Sequence, residues 1–149
     1  MLLQKRKTRR NFFVFVKLGQ IKKDFNLQEL NIKNYAHIGD AVYEVFVRER
    51  TIMMTSNLAK LHKLTVHFVN ASFQTELLEK LMPSLTEKEQ DLARRARNIP
   101  TSTHRRIDRA LHSSATALEV VLGYNYVHNK ERYLEISSLM NELIDFNLS

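Results

Sequence analysis

Residues 35–50 read YAHIGDAVYEVFVRER, and how this stretch folds decides the rest of the chain. Ile38, Ala41, Val42 and Val45 recur at intervals of three and four, the spacing of one helix face, so residues 34–51 are predicted to form an amphipathic α-helix burying that face. His37, Asp40, Glu44 and Arg48 share a second stripe. Its two carboxylates, one turn apart, repel each other unless Arg48, a proton or a metal ion compensates. Gly39 interrupts the pattern at a cost of roughly 1 kcal/mol relative to Ala, which points to close approach by another helix or a ligand.

Outward from this helix, the composition favours more of the same. The 149 residues suffice for one domain with a real core. There is no cysteine, with only 3 Gly and 2 Pro, and strand-type alternation is hard to find, so the composition favours helices in a reducing compartment, and an all-α domain, about six to seven helices with the pattern traced below, is expected. Disulfides and thiolate metal sites are excluded. No apolar run approaches the ~20 residues of a membrane helix, so no membrane partner is expected.

The net charge of +7 suggests a nucleic-acid partner, but its placement is uneven. Residues 1–23 hold eight Lys/Arg and no acid, leaving 15 basic and 16 acidic residues beyond them. Residues 1–23 therefore read as a disordered basic arm attracted to RNA, or as an organelle transit or upstream extension, and residues 24–149 as the domain. The only dense basic cluster in the domain is Arg94, Arg95, Arg97, Arg105, Arg106 and Arg109.

Downstream, Ser56 or Asn57 can cap a helix carrying Leu58, Leu61, Leu64, Thr65 and Phe68, with a bend at residues 70–72 before Phe73, Leu77, Leu78 and Leu81 resume the pattern. Pro83 stops it. Thr86 with Glu89 forms a capping box opening a helix that ends in the arginines, and Pro100 marks a loop. A long helix over residues 107–127 puts Ala115, Leu118, Leu122 and Tyr126 on one face, and a last one over 131–146 uses Leu134, Leu139, Leu143 and Phe146.

Asp40 and Glu119 each lie in a largely apolar helical pattern close to a glycine, Gly39 and Gly123. Burying a lone carboxylate costs several kcal/mol, so these two acids either meet and share a cation or each pair with a nearby Arg.

The residues also carry a resemblance. The 35–50 run resembles the signature helix of the ribonuclease III superfamily, and most closely that of its small branch, Mini-ribonuclease III, which lacks a double-stranded RNA-binding domain. VNASFQTELL at 69–78 is similar to the second conserved helix of that family, RRARN at 94–98 to its arginine-rich turn, and SATALEVVLGY at 114–124 to its second catalytic helix. Four motifs in the family order cover roughly residues 27–146.

The resemblance implies that Asp40 and Glu119 are catalytic, metal-binding acids. Ala36 and Thr116 stand where the larger enzymes carry further acids, a departure typical of the small branch. Glu44 is implied as a supporting carboxylate, with partnership to Arg48 as the other reading, and Glu76 as a helix-bracing one. Oxygen donors of this kind suit Mg²⁺, with Mn²⁺ as a substitute. The implied protein is a cytoplasmic, homodimeric endonuclease of double-stranded RNA that leaves 5′-phosphate and 3′-hydroxyl ends, matures large-subunit (23S) ribosomal RNA precursors, and contacts phosphate through Arg94, Arg95, Arg97, Arg105 and Arg106. Val42, Val45 and Phe46 are candidates for the dimer contact or for plain core. His37, His104 and His112 are candidates for phosphate contact. The alternative is a non-catalytic ribonuclease III-like RNA-binding or ribosomal protein, which retention of both acids disfavours.

Overall fold

Helix-starting residues and breakers divide the described residues into six α-helices. The computed structural model describes residues 30–100 and 106–146; the arm at 1–23 lies outside the described residues. The helices are α1 (Ile32–Thr51), α2 (Leu58–Val69), α3 (Ala71–Leu81), α4 (Glu87–Arg97), α5 (Arg106–His128) and α6 (Lys130–Leu143), with a 3-10 turn, Met82–Ser84, between α3 and α4. No strand occurs among the described residues, as the composition implies.

Most boundaries have a side-chain cause. Asn57 caps α2 by accepting from the Lys60 backbone N–H, 2.9 Å. Asn70 turns the expected bend into a full break: its backbone is extended, its Oδ1 accepts from Phe73 N at 2.9 Å to start α3, and its Nδ2 donates to His67 O at 2.6 Å to close α2. Pro83 sits in the 3-10 turn. Thr86 and Glu89 make the reciprocal capping box. Asn129 separates α5 from α6 by accepting from Arg132 N at 3.1 Å.

Helix α5 is the centre. Ala115, Ala117, Leu118, Val120, Val121, Leu122, Gly123 and Asn125 are all buried, so it is covered on nearly every side, and α1, α3, α4 and α6 pack around it. The face of α1 that meets it differs from the expected one. Tyr35, Gly39, Val42, Tyr43, Phe46 and Val47 are buried, whereas Ala41 is exposed, Val45 is 54% exposed and Ile38 only half-buried. The aliphatic residues picked out the wrong edge because the aromatic residues and the glycine form a wider helical stripe, fixed by polar ties as well. Tyr43 Oη donates to Phe68 O at 2.7 Å, and the Thr51 and Thr65 hydroxyls lie 3.3 Å apart, holding α2 against α1.

Two further stripes are corrected in the same way. Leu58, expected inside, is 80% exposed on the first turn of α2, whose buried residues are Leu64, Thr65 and Phe68. In α6 the buried residues are Ile136 and Met140, followed by Ile144, while Leu134 is 60% exposed. The buried stripe runs at intervals of four and excludes Leu134 and Leu143.

Candidate active site

Asp40 and Glu119 reach one place because two helices touch backbone to backbone. Gly39 on α1 faces the Glu119 main chain on α5, and Gly123, one turn further along α5, faces the carbonyl of Tyr35, one turn back along α1. The helices therefore run antiparallel, with 35 opposite 123 and 39 opposite 119. At Gly39 the visitor expected from the sequence is thus a helix. Beyond the crossing, the Tyr35 hydroxyl lies 2.7 Å from His128 Nε2 and the Tyr35 ring meets Tyr124 edge-on at 5.4 Å, fastening the start of α1 to the end of α5.

Asp40 follows Gly39 and is exposed, whereas Glu119 is half-buried at the contact. Burial first, and then the negative charge of Asp40, push the Glu119 carboxyl up to about 7. Both effects disfavour the charged form of this carboxylate. Among the described residues, no group of three or more His, Cys, Asp or Glu gathers as a metal cage. A two-carboxylate site nonetheless fits Mg²⁺, which keeps several of its waters and takes only one or two protein carboxylates.

The other expected residues behave differently. Glu44, one turn after Asp40, accepts from Arg48 Nε at 2.8 Å, its ordinary helical partner. Glu76 is exposed on α3 and makes no hydrogen bond or ion pair among the described residues; Thr75 beside it makes one, donating to Leu111 O at 3.3 Å. Arg94 pairs with Asp91, and Arg95 lies 3.8 Å from the same carboxylate. Arg97 and Arg106 are exposed, while Arg105 and His104 lie outside the described residues. His37 and His112 are exposed.

A group missed by sequence reasoning stands behind the arginine-bearing helix. Glu89, 3% exposed, accepts from Arg132 Nε and Nη2, both at 2.9 Å, and from Asn125 Nδ2 at 3.1 Å, so the capping residue of α4 also anchors α5 and α6. Arg132 lies 43 residues away, and no local pattern announces the pair.

The ribonuclease III domain family matches residues 33–130, which include both acids and their crossing. The chain belongs to this family, and its class is that of the endoribonucleases. Within it, the chain is similar to Mini-ribonuclease 3 of Gloeobacter violaceus (39% identity over 78% of this chain and 86% of the relative) and of Synechocystis (36%, 76% and 80%). That of Staphylococcus aureus is 32% identical over 83% of this chain and 93% of its own length. A Fusobacterium nucleatum protein of known crystal structure superposes with a TM-score of 0.70 at 29% identity, covering 83% of this chain and 98% of that one.

Proposed function

We propose that the protein is a divalent-metal-dependent endonuclease that cuts double-stranded precursors of large-subunit ribosomal RNA in the bacterial cytoplasm, working as a homodimer. The observation that carries this reading is the convergence of Asp40 and Glu119 at the α1–α5 crossing, where burial and the neighbouring Asp40 charge raise Glu119 to about 7. Asp40 and Glu119 would hold Mg²⁺, with Mn²⁺ as a substitute. When bound, the ion lowers the pKa of a water and neutralises charge growing on the phosphodiester. The attacking water gives up a proton as its oxygen bonds to phosphorus, the P–O3′ bond breaks, and the departing O3′ takes up a proton, leaving 5′-phosphate and 3′-hydroxyl ends.

A-form RNA offers a wide, shallow minor groove of 2′-hydroxyls and phosphates, which suits recognition by shape. Arg94, Arg95, Arg97, Arg105 and Arg106 are the proposed phosphate contacts. A twofold dimer supplies each antiparallel strand with an equivalent site. Of the three residues considered for that interface, Val42 and Phe46 belong to the core of the protomer; Val45, with exposed Ala41 and Ile52, is the part left for a second copy. The deciding experiment is incubation with duplex RNA, with and without Mg²⁺. Metal-dependent cuts in duplex but not in single-stranded RNA are expected, and a protein that binds duplex without cutting it would have to be read as non-catalytic.

A further inference from the structure

Residues 32–146 contain two glycines, and both lie at one helix crossing. A methyl group on Gly39 would stand 1.7 Å from the Glu119 carbonyl oxygen and 2.9 Å from its Cα; one on Gly123 would stand 2.0 Å from the Tyr35 carbonyl oxygen and 3.0 Å from Gly39 N. Every one of these atoms is main chain, which no rotamer change can move aside. Any larger residue must push α1 and α5 apart. The two contacts are four residues apart on each helix, about 6 Å along the axis, so sliding or rolling one helix on the other breaks at least one of them. Asp40 is bonded directly to Gly39, and Glu119 supplies the surface that Gly39 touches. The same two contacts that join the helices therefore join the acids.

Resting on the reading of Asp40 and Glu119 as a cation-holding pair, we propose that Gly39 and Gly123 are positioning residues: by keeping α1 and α5 in backbone contact they fix the two carboxylates at the separation one small divalent ion requires. Mg²⁺ accepts oxygen donors only at about 2.0–2.1 Å in near-octahedral order, so a displacement that ordinary packing would absorb is too large for such a site. Misplacement by ~1 Å is enough to lower turnover about a hundredfold. A glycine pair serving packing alone would affect only the fraction of folded protein.

The test uses the full chain and reads Mn²⁺ affinity by calorimetry alongside cleavage. Gly123→Ala should lower thermal stability, weaken Mn²⁺ binding at least about tenfold and reduce kcat at limiting metal, while KM for duplex stays within about twofold and added Mn²⁺ restores part of kcat. Leu78→Ala, a buried residue of α3, is the control of comparable destabilisation and should leave Mn²⁺ affinity unchanged. Should Gly123→Ala not fold, Asp40→Glu decides. Asp40 is exposed, so its fold should persist, but the clamped helices cannot retreat to admit an extra methylene, and Mn²⁺ affinity should again fall about tenfold. Where Gly123→Ala does fold, adding Asp40→Glu to it should recover binding. The proposal is overturned if Gly123→Ala matches Leu78→Ala in Mn²⁺ affinity, or if Asp40→Glu alone keeps the natural affinity. A natural protein that neither binds Mn²⁺ nor cuts duplex RNA overturns the nuclease reading as well, which separates the two failures.

Discussion

At Glu119, burial and the neighbouring Asp40 act in the same direction, and the consequence reaches beyond chemistry to stability. A carboxyl raised from its ordinary value to about 7 favours the folded state while protonated, so without metal this contribution is full below the unfolded pKa and disappears as pH rises through about 7. Glu119→Gln should therefore be more stable than the natural protein at pH 8 without metal, by on the order of 1–2 kcal/mol after solvent screening, and about equal to it at pH 4.5. Thermal melts of the two proteins across that range check the sign; a gap that widens toward low pH contradicts it. Asp40→Ala and Glu119→Ala should each abolish cleavage of duplex RNA in Mg²⁺ while circular dichroism stays native. Near-normal turnover in either variant would remove that residue from the site.

At the scale of the element, the arginines of α4 do not present equal charge. Asp91 pairs with Arg94 and stands near Arg95, whereas Arg97 has no such partner among the described residues. Replacing Arg94, Arg95 and Arg97 with Ala should weaken binding to all duplexes alike and flatten the log–log salt dependence by somewhat under one unit per lost contact. An unchanged slope in filter binding would refute the phosphate contacts. Behind that surface, Glu89 is held below the usual carboxylate range: burial works the other way but is outweighed by Arg132, the Thr86 N–H and Asn125. Its contribution is present above the unfolded pKa and is lost as pH falls through the folded one. Arg132→Met leaves Glu89 as a buried charge without its partner and should cost about 3–5 kcal/mol in urea unfolding at pH 7, narrowing below pH 4. The capping role of Glu89 was legible because Thr86 lies three residues away; its ion pair was not, because only the folded chain brings Arg132 to it. For the same reason helix positions were legible from period and breakers, while their inward faces were not. Val45 and Leu58 are as apolar as any core residue, and only knowledge of what packs against α1 and α2 sets them outside.

For the whole molecule, charge and chemistry occupy different parts of the chain. Deleting residues 1–23 removes eight positive charges and no negative one, taking the net charge from +7 to −1, yet both acids and every described helix lie downstream. The truncated protein should still fold and cut duplex RNA, with a binding loss that is large at low salt and narrows as the Debye length shrinks to about 8 Å at 0.15 M. Affinity unchanged at low ionic strength, or a chain that cannot fold, would contradict this division. The central position of α5 has a consequence for the timing of synthesis. Asp40 and Glu119 are roughly 80 residues apart in sequence, and the crossing that unites them is complete only with Gly123 in place. A chain emerging from the ribosome at ~5–20 residues per second would thus carry its first acid for several seconds before the second exists. On the proposed reading the nascent chain holds one of the two acids and no complete site during that interval, so the RNA-rich machine that makes it is not exposed to a cutting one.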